Sequence, residues 1–175
     1  RKVIECSPIG IMNYNSEGQC VSVNDEAVRI AGSTREELLK QNFKYNETWK
    51  KYNLYDAAIK ALSTEKEERI TVNMITTFGN KVWLECRFVK FRMKEETHLL
   101  FLSNDITNQK VMENEISLFF DTALDMLCVY DFDGYFRRIS PTWSKTLGWS
   151  EEELCSKPFI ELIHEEDKTK TDRKS

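Results

Sequence analysis

Two stretches of the chain decide its organisation, because they match one another without a gap. Residues 7–43 read SPIGIMNYNSEGQCVSVNDEAVRIAGSTREELLKQNF, and residues 123–159 read ALDMLCVYDFDGYFRRISPTWSKTLGWSEEELCSKPF. At this offset of 116 positions, 7 of the 37 aligned residues are identical, where ordinary residue frequencies give about 2. The identical pairs are Tyr14/Tyr130, Gly18/Gly134, Gly32/Gly148, Glu36/Glu152, Glu37/Glu153, Leu38/Leu154 and Phe43/Phe159. The sequence therefore predicts two copies of one domain.

The repeat sets the expected domain boundaries. One copy should need about 110 residues, so the 175 residues hold one complete copy and the N-terminal half of a second. We expect a first domain at residues 1–106, a linker helix at 107–121 and a partial second domain at 122–175.

The first half of each copy reads as a β-hairpin followed by short helices. Residues 10–15 and 19–23 form the predicted strands, and the second hairpin turns at Asp133 and Gly134. A helix is predicted at 24–31, where Asn24 is a suitable N-cap and Gly32 a suitable stop. Further helices are predicted at 35–40 and at 55–62, the latter with Ala58, Ile59 and Leu62 on one face.

The middle of the chain changes to the period of β-strands. Residues 69–77, 81–92 and 98–104 predict three long antiparallel strands, and apolar and polar side chains alternate along the first two. In the central one, Leu84, Cys86 and Phe88 should face the core. The fold class is therefore α+β, with helices on one face of a five-stranded antiparallel sheet.

A helix follows the last strand and carries an apolar stripe. Asp105 or Thr107 can cap it, and Met112, Ile116, Phe119 and Ala123 recur at spacings of four, three and four. This spacing is typical of a coiled-coil seam and predicts a homodimer. The alternative is a single amphipathic helix packed back on its own domain.

Composition excludes several function classes. The net charge is −4, which gives no basic footprint for nucleic acid. The longest aliphatic or aromatic run, Leu99–Leu102, is far shorter than the ~20 residues of a membrane helix. Five cysteines without a C-x-x-C pair predict reduced thiols and a cytoplasmic location, although a longer parent protein could be membrane-attached. His98 and His164 stand far apart in the sequence, so no metal site is expected.

Taken in order, these features resemble the PAS sensor domain, in tandem. The likeness rests on the two glycine hairpins, on residues 32–39 and 148–154, on 159–167, and on Asp105-Ile106-Thr107 at the end of the last strand. Residues 159–167 look like the family's His-Pro-x-Asp stretch, with Glu165 in place of Pro. The first copy lacks that stretch, so an atypical loop or helix is expected at 43–53.

The resemblance implies a binding and relay function rather than catalysis. The family encloses a small cavity between sheet and helices and passes its state outward through the terminal helix. We expect a regulatory module for an output domain such as a histidine kinase; the alternative is a ligand-free dimerisation or interaction module. No nucleophile–base pair or phosphate loop is visible, so an enzyme is not predicted.

The resemblance also bears on cofactors. Flavin photoreceptors of the family carry a reactive Cys in an Asn-Cys-Arg-Phe phrase, and the nearest phrase here, Gln41-Asn42-Phe43-Lys44, has none. Haem-binding members use a His on the helix before the long strands, and residues 55–62 contain none. Neither haem nor covalent flavin photochemistry is expected. A pocket for a small metabolite or acyl chain remains open, as does a pocket filled by its own side chains.

Strand and helix periodicity nominate the inward-facing residues, which are either ligand contacts or simply core. The pocket candidates are Met12, Tyr14, Val28, Ile59, Leu62, Val72, Met74, Leu84, Cys86, Phe101 and Ser103. The candidates for signal relay are Asp105, Thr107, Met112, Ile116 and Phe119. Tyr14 is the most informative of these, because a buried phenol needs a hydrogen-bond partner.

Overall fold

A computed structural model describes residues 2–64, 66–93 and 95–165. The chain divides into two compact units, residues 1–110 and 111–175. The first unit contains α1 (Lys2–Glu5), β1 (Gly10–Tyr14), β2 (Cys20–Val23), α2 (Asp25–Ala31), α3 (Arg35–Leu39), α4 (Glu47–Lys51), α5 (Leu54–Thr64), β3 (Glu68–Ile75), β4 (Lys81–Met93) and β5 (Glu96–Asp105). Then come α6 (Thr107–Thr122), β6 (Cys128–Tyr130), β7 (Phe136–Ile139), α7 (Pro141–Leu147) and α8 (Glu151–Cys155).

The first unit is the predicted five-stranded antiparallel sheet. Its strand order is β2-β1-β5-β4-β3, so the N-terminal hairpin joins the three-stranded meander through the β1–β5 pair. The α+β prediction is confirmed, and the predicted alternation in β4 holds because Leu84, Cys86 and Phe88 are all buried. The helices pack on this apolar face and enclose the core.

One part of the predicted packing is wrong. In α5, Ile59 is 38% exposed, while the buried face is made by Leu54, Ala58 and Ala61. Residues at i, i+4 and i+7 share one helix face, and Ile59 lies outside that set. The small side chains of Ala58 and Ala61 let α5 lie close to β3 and β4. The prediction that placed Ile59 on the buried face of α5 was therefore wrong.

The helix caps follow the sequence signals closely. Asn24 caps α2 by accepting from the Ala27 N–H, and Gly32 ends that helix at φ +71°. Thr34 and Glu37 form a reciprocal capping box at the start of α3. The side chain of Asn24 also accepts from the Ile11 N–H (2.8 Å) and donates to the carbonyls of Ile4 (3.0 Å) and Ile9 (2.9 Å). One buried amide thus connects α1, β1 and α2.

The second unit repeats the local hydrogen bonds of the first at the same offset of 116. A second capping box joins Ser150 and Glu153, and Gly134 and Gly148 have positive φ like their counterparts. The backbone bonds that recur as pairs include Asn15 N–Gln19 O with Asp131 N–Tyr135 O, Asn24 N–Ile11 O with Ser140 N–Leu127 O, and Phe43 N–Gly18 O with Phe159 N–Gly134 O. The sequence repeat is therefore a structural repeat.

The cores of the two units differ greatly in size. In the second unit Phe136, Ile139 and Leu154 form the buried cluster, beside partly buried neighbours such as Trp143 and Phe159. Residues 159–162 form a 3₁₀ helix, and the remainder of the His-Pro-x-Asp-like stretch, residues 166 and 167, lies outside the described residues.

Replacing the buried amide tests how much of the first unit depends on it. We expect Asn24→Ala to lower the free energy of unfolding by about 2–4 kcal/mol, because four backbone groups lose their partner. Hydrogen exchange of the β4 and β5 amides measures this unit alone. Asn73→Ala, an exposed asparagine on β3, is the control, with an expected change within about 0.5 kcal/mol. Equal effects of the two variants would contradict this role.

Candidate functional site

A small cavity of about 60 Å³ lies between the sheet and the helices of the first unit. Its wall is drawn from both layers and contains no charged side chain. It is formed by Met12, Ala27, Ile30, Ala31, Leu38, Gln41, Trp49, Leu54, Met74, Thr76, Thr77, Phe78, Leu84, Phe101 and Ser103. Pockets that hold drug-sized ligands measure roughly 300–1,000 Å³. A ligand of flavin or haem size would therefore require wall residues to move.

The predicted pocket residues divide into three groups. Those that line the cavity are Met12, Met74, Leu84, Phe101 and Ser103. Those that are in the core but away from the cavity are Tyr14, Val72 and Cys86, which are buried, and Val28 and Leu62, which are half-buried. Ile59 is exposed and is corrected above. The strands were thus identified well, because alternation along a strand is a regular signal.

Most of the wall that sequence reasoning missed comes from helices and turns. Ala27, Ile30 and Ala31 lie on α2, Leu38 on α3, and Thr76, Thr77 and Phe78 at the β3–β4 turn. These helices have only five to seven residues, too short for a clear 3.6-residue period. Trp49 is the most consequential omission. Asn46 followed by Glu47 is a helix-start signal that could have located α4.

Trp49 fills the centre of the first unit. It is 6% exposed, and its ring lies 5.3 Å from Tyr14, 5.5 Å from Phe43, 5.9 Å from Phe88 and 5.0 Å from Phe101, measured between centroids. Two of these four contacts are edge-to-face, the arrangement that aromatic quadrupoles favour. The expected atypical segment at 43–53 is therefore a 3₁₀ helix and α4, which together insert an aromatic side chain into the interior.

The buried phenol of Tyr14 has a weak partner. Its hydroxyl donates to the sulfur of Met12 at 3.6 Å, and the side chain is fully buried. Burial raises the pKa of Tyr14 well above its ordinary value, so the phenol stays neutral. Met12 lines the cavity, so Tyr14 lies one contact behind the cavity wall.

A compact hydrogen-bond junction joins the last strand to α6. A carboxylate oxygen of Asp105 accepts from the Thr107 N–H (3.0 Å) and from the Thr107 hydroxyl (2.5 Å), and Arg29 donates to the other oxygen (3.1 Å). The Thr107 hydroxyl accepts from the Trp83 N–H (2.9 Å), and the Ile106 N–H donates to the Trp83 carbonyl (2.9 Å). Burial raises the pKa of Asp105, but the bonds from Thr107 and Arg29 outweigh it and leave that pKa below the ordinary value.

Models of known protein families match both halves of the chain. The family model described as "PAS domain" matches residues 8–108, and a second, described as "PAS fold", matches residues 114–175. This chain belongs to the PAS domain family. Its first PAS domain holds the cavity and the Asp105 junction, and PAS domains are sensory modules.

Solved structures show the same fold at low identity. A PAS domain of a protein from Colwellia psychrerythraea is 16% identical with a TM-score of 0.53, covering 61% of this chain and 93% of that one. A domain of a sensory box sensor histidine kinase/response regulator from Geobacter sulfurreducens is 19% identical with a TM-score of 0.50, covering 60% and 90%. An RNA-binding light-oxygen-voltage receptor is 15% identical with a TM-score of 0.53, covering 67% and 35%. No curated protein matches the chain.

The apolar stripe that was predicted on the linker helix is exposed. Met112, Ile116 and Phe119 are 63%, 53% and 63% exposed, and Val111 and Leu118 on the same helix are exposed as well. Ala123 lies one residue beyond the end of α6.

Of the helices in the described ranges, none has the length and apolarity needed to cross a bilayer.

The buried thiols of the first PAS domain generate a prediction about reactivity. Burial raises the pKa of Cys86 to about 12 and that of Cys20 to about 11, so at pH 8 the thiolate fraction of Cys86 is only about 1 in 10⁴. We expect iodoacetamide to alkylate the exposed Cys6. We expect the alkylation rates of Cys20 and Cys86 to be at least about 100-fold lower than that of Cys6. Peptide mass spectrometry measures this, with the unfolded chain as control. Equal rates at Cys6 and Cys86 would contradict the burial of the Cys86 thiol.

Proposed function

We propose that this chain is a regulatory module whose first PAS domain binds a small ligand or a partner and relays the change through α6 to an output domain. The simplest output is a histidine kinase, as in the Geobacter sulfurreducens protein named above. The role of the chain itself is then regulatory and not catalytic. The five cysteines, all free, favour a reducing, cytoplasmic setting. A longer parent protein could still be attached to a membrane.

The observation that carries this proposal is the junction at Asp105. It ties the first residues of α6 to β4 through Trp83 and to α2 through Arg29. Ala27, Ile30 and Ala31 of α2 line the cavity, as do Leu84 of β4 and Ser103 of β5. A ligand that prefers one arrangement of this wall shifts the equilibrium by its differential affinity. The junction passes that shift to the start of α6.

The exposed stripe supports a homodimer as the form in which α6 acts. Met112, Ile116 and Phe119 are spaced like the seam of a short coiled coil, and all three are more than half exposed. Such a seam would align two copies of the helix and convert a local movement into a change of helix register.

The cavity favours a neutral and small ligand. Its wall contains no charge, and an unpaired ion in such a site would be strongly disfavoured. The filling of the interior by Trp49 specifically favours the second candidate function, a ligand-free dimerisation or interaction module. In that case the aromatic cluster serves only as hydrophobic core, and α6 mediates the dimerisation or the interaction.

Native mass spectrometry of the freshly purified chain, followed by the same sample denatured, separates the two functions. A stoichiometric mass lost on denaturation supports ligand sensing and gives the mass of the ligand. An apo dimer supports the interaction module. An apo monomer contradicts the interaction module, which requires α6 to pair, and it excludes a ligand that stays bound through purification.

The relay role of Asp105 can be measured at the amides it holds. We expect Asp105→Ala to accelerate hydrogen exchange at Ile106, Thr107 and Lys110 about tenfold, because a capping interaction of about 1–2 kcal/mol is lost. The depressed pKa of Asp105 implies that its contribution is present above the ordinary Asp pKa and is lost as the pH falls below it.

Glu26→Ala is the matched control for this prediction. Glu26 pairs with the same guanidinium of Arg29 (2.7 Å) but makes no bond to α6. We expect the three amides to change by less than about twofold in this variant. If both variants accelerate exchange equally, Asp105 acts only through Arg29 and the proposed junction is contradicted.

The stripe on α6 predicts a change in oligomeric state. The double variant Ile116→Ser, Phe119→Ser should weaken dimerisation at least about tenfold while leaving the first PAS domain folded, because it removes exposed apolar area from the seam. Sedimentation equilibrium measures the dissociation constant. Phe132→Ser, which removes an exposed ring outside α6, is the control. An unchanged dimer mass in the double variant would exclude the stripe as the interface.

A further inference from the structure

The cavity of the first PAS domain adjoins a groove at the surface. This groove, of about 470 Å³, is lined by Lys40, Gln41, Asn42, Tyr45, Asn46, Glu47, Thr48 and Thr77. Gln41 and Thr77 line both the groove and the cavity. These two side chains therefore lie where the groove meets the cavity, on a route from the surface inward.

Asn46 bridges the other two side chains. Its Nδ2 lies 3.5 Å from the Gln41 Oε1 and 3.3 Å from the Thr77 Oγ1, and the Thr77 hydroxyl lies 3.5 Å from the Asn46 Oδ1. Hydrogen bonds of this kind are usually 2.7–3.2 Å long, so all three contacts are stretched and inexpensive to break. We call Gln41, Asn46 and Thr77 the gate.

The gate is mechanically tied to the ring that fills the interior. The Oδ1 of Asn46 accepts from the N–H groups of Thr48 (2.9 Å) and Trp49 (3.3 Å), and it is the N-cap of α4. That helix has only five residues, too few to be stable without its cap and its packing. A displacement of Asn46 therefore removes the cap of a marginal helix and frees Trp49.

The size and chemistry of the cavity set the class of ligand. A cavity of 150 Å³ holds benzene or xenon, so the 60 Å³ here admits a molecule of only a few heavy atoms while Trp49 stays in place. A larger molecule must displace the indole. The wall carries no charge and is mostly apolar. Its polar groups include the hydroxyls of Ser103, Thr76 and Thr77 and the side-chain amide of Gln41.

We propose that a neutral, largely apolar small molecule enters the first PAS domain through the gate of Gln41, Asn46 and Thr77, and that Asn46 couples its entry to the position of Trp49. This inference rests on the proposed ligand-sensing function and adds to it the route, the ligand chemistry and the moving part. Trp49 is then the sensing element, because it leaves the aromatic cluster only when the gate opens.

The five methionines provide a direct test with benzene as the probe. Met12 and Met74 line the cavity, whereas Met93, Met112 and Met126 are exposed and serve as internal controls. In the full chain labelled with ¹³C-methyl methionine, we expect benzene to shift the methyl signals of Met12 and Met74 saturably, together with the indole N–H signal of Trp49. If the two cavity methyls do not saturate, or if they saturate while the Trp49 signal stays fixed, the proposal is wrong.

Variants of Thr77 test the gate itself. Thr77→Val keeps the shape and removes the hydroxyl, whereas Thr77→Ser keeps the hydroxyl, so each controls for the other. We expect the rate of benzene entry, measured by relaxation dispersion at the Met12 methyl, to rise at least about threefold in Thr77→Val and to stay within about 1.5-fold in Thr77→Ser. Equal rates in the two variants would overturn the gate. Unchanged exchange of the β4 and β5 amides confirms that both variants are folded.

Asn46→Asp tests the coupling, because aspartate keeps the N-cap acceptor for α4 but loses the amide donor to Gln41 and Thr77. We expect faster benzene entry than in the unaltered chain, with the Trp49 signal in its original position before benzene is added. Asn46→Ala removes both functions and should shift the Trp49 signal even without benzene. An unshifted Trp49 signal in Asn46→Ala would refute the coupling.

The readouts keep this proposal separate from the relay. If benzene enters at rates set by Thr77 but the Ile106, Thr107 and Lys110 amides do not respond, the gate stands and the relay function fails. If the Thr77 variants leave entry unchanged, the gate fails whatever α6 does.

Discussion

The pairing of β1 with β5 is the constraint on which the first PAS domain depends. It places Gly10 opposite Ser103, 93 residues away in the chain, and so joins the N-terminal hairpin to the meander. A Cβ on Gly10 would lie 2.5 Å from the Ser103 hydroxyl oxygen and 3.1 Å from the Cα of Ala27. The missing side chain lets α2 approach the centre of the sheet, which positions one wall of the cavity and, through Arg29, the junction with α6.

The interior of this domain is filled almost completely by aromatic side chains. A core at native density has few voids larger than a water molecule, and Trp49 brings the first PAS domain close to that state. The remaining cavity is small. Its wall includes Ala27 and Leu84, which lie on the same elements as Arg29 and Trp83, the residues bonded to Asp105 and Thr107. A short capped helix is an economical way to hold a large ring in place reversibly, because five residues form few internal hydrogen bonds.

The two copies separate local from long-range contributions to the fold. Both form the same hairpin, capping box and glycine-terminated helix, since these depend on residues close in sequence. Among the described residues, however, β6 pairs only with β7, whereas β1 pairs with both β2 and β5. The buried cluster of the second unit is accordingly limited to Phe136, Ile139 and Leu154.

The repeat, the strands, the caps and the α+β class could be predicted from the amino-acid sequence, because periodicity and turn chemistry are local properties. The sequence also identified Met12, Met74, Leu84, Phe101 and Ser103 on the cavity wall, since strand alternation fixes which side chains share a face. Only the tertiary structure decided that Ile59 faces outward, that Trp49 occupies the interior, and that Asn46 meets Gln41 and Thr77. Short helices carry too few residues for a readable period, and contacts between a loop and a distant turn depend on how whole elements pack.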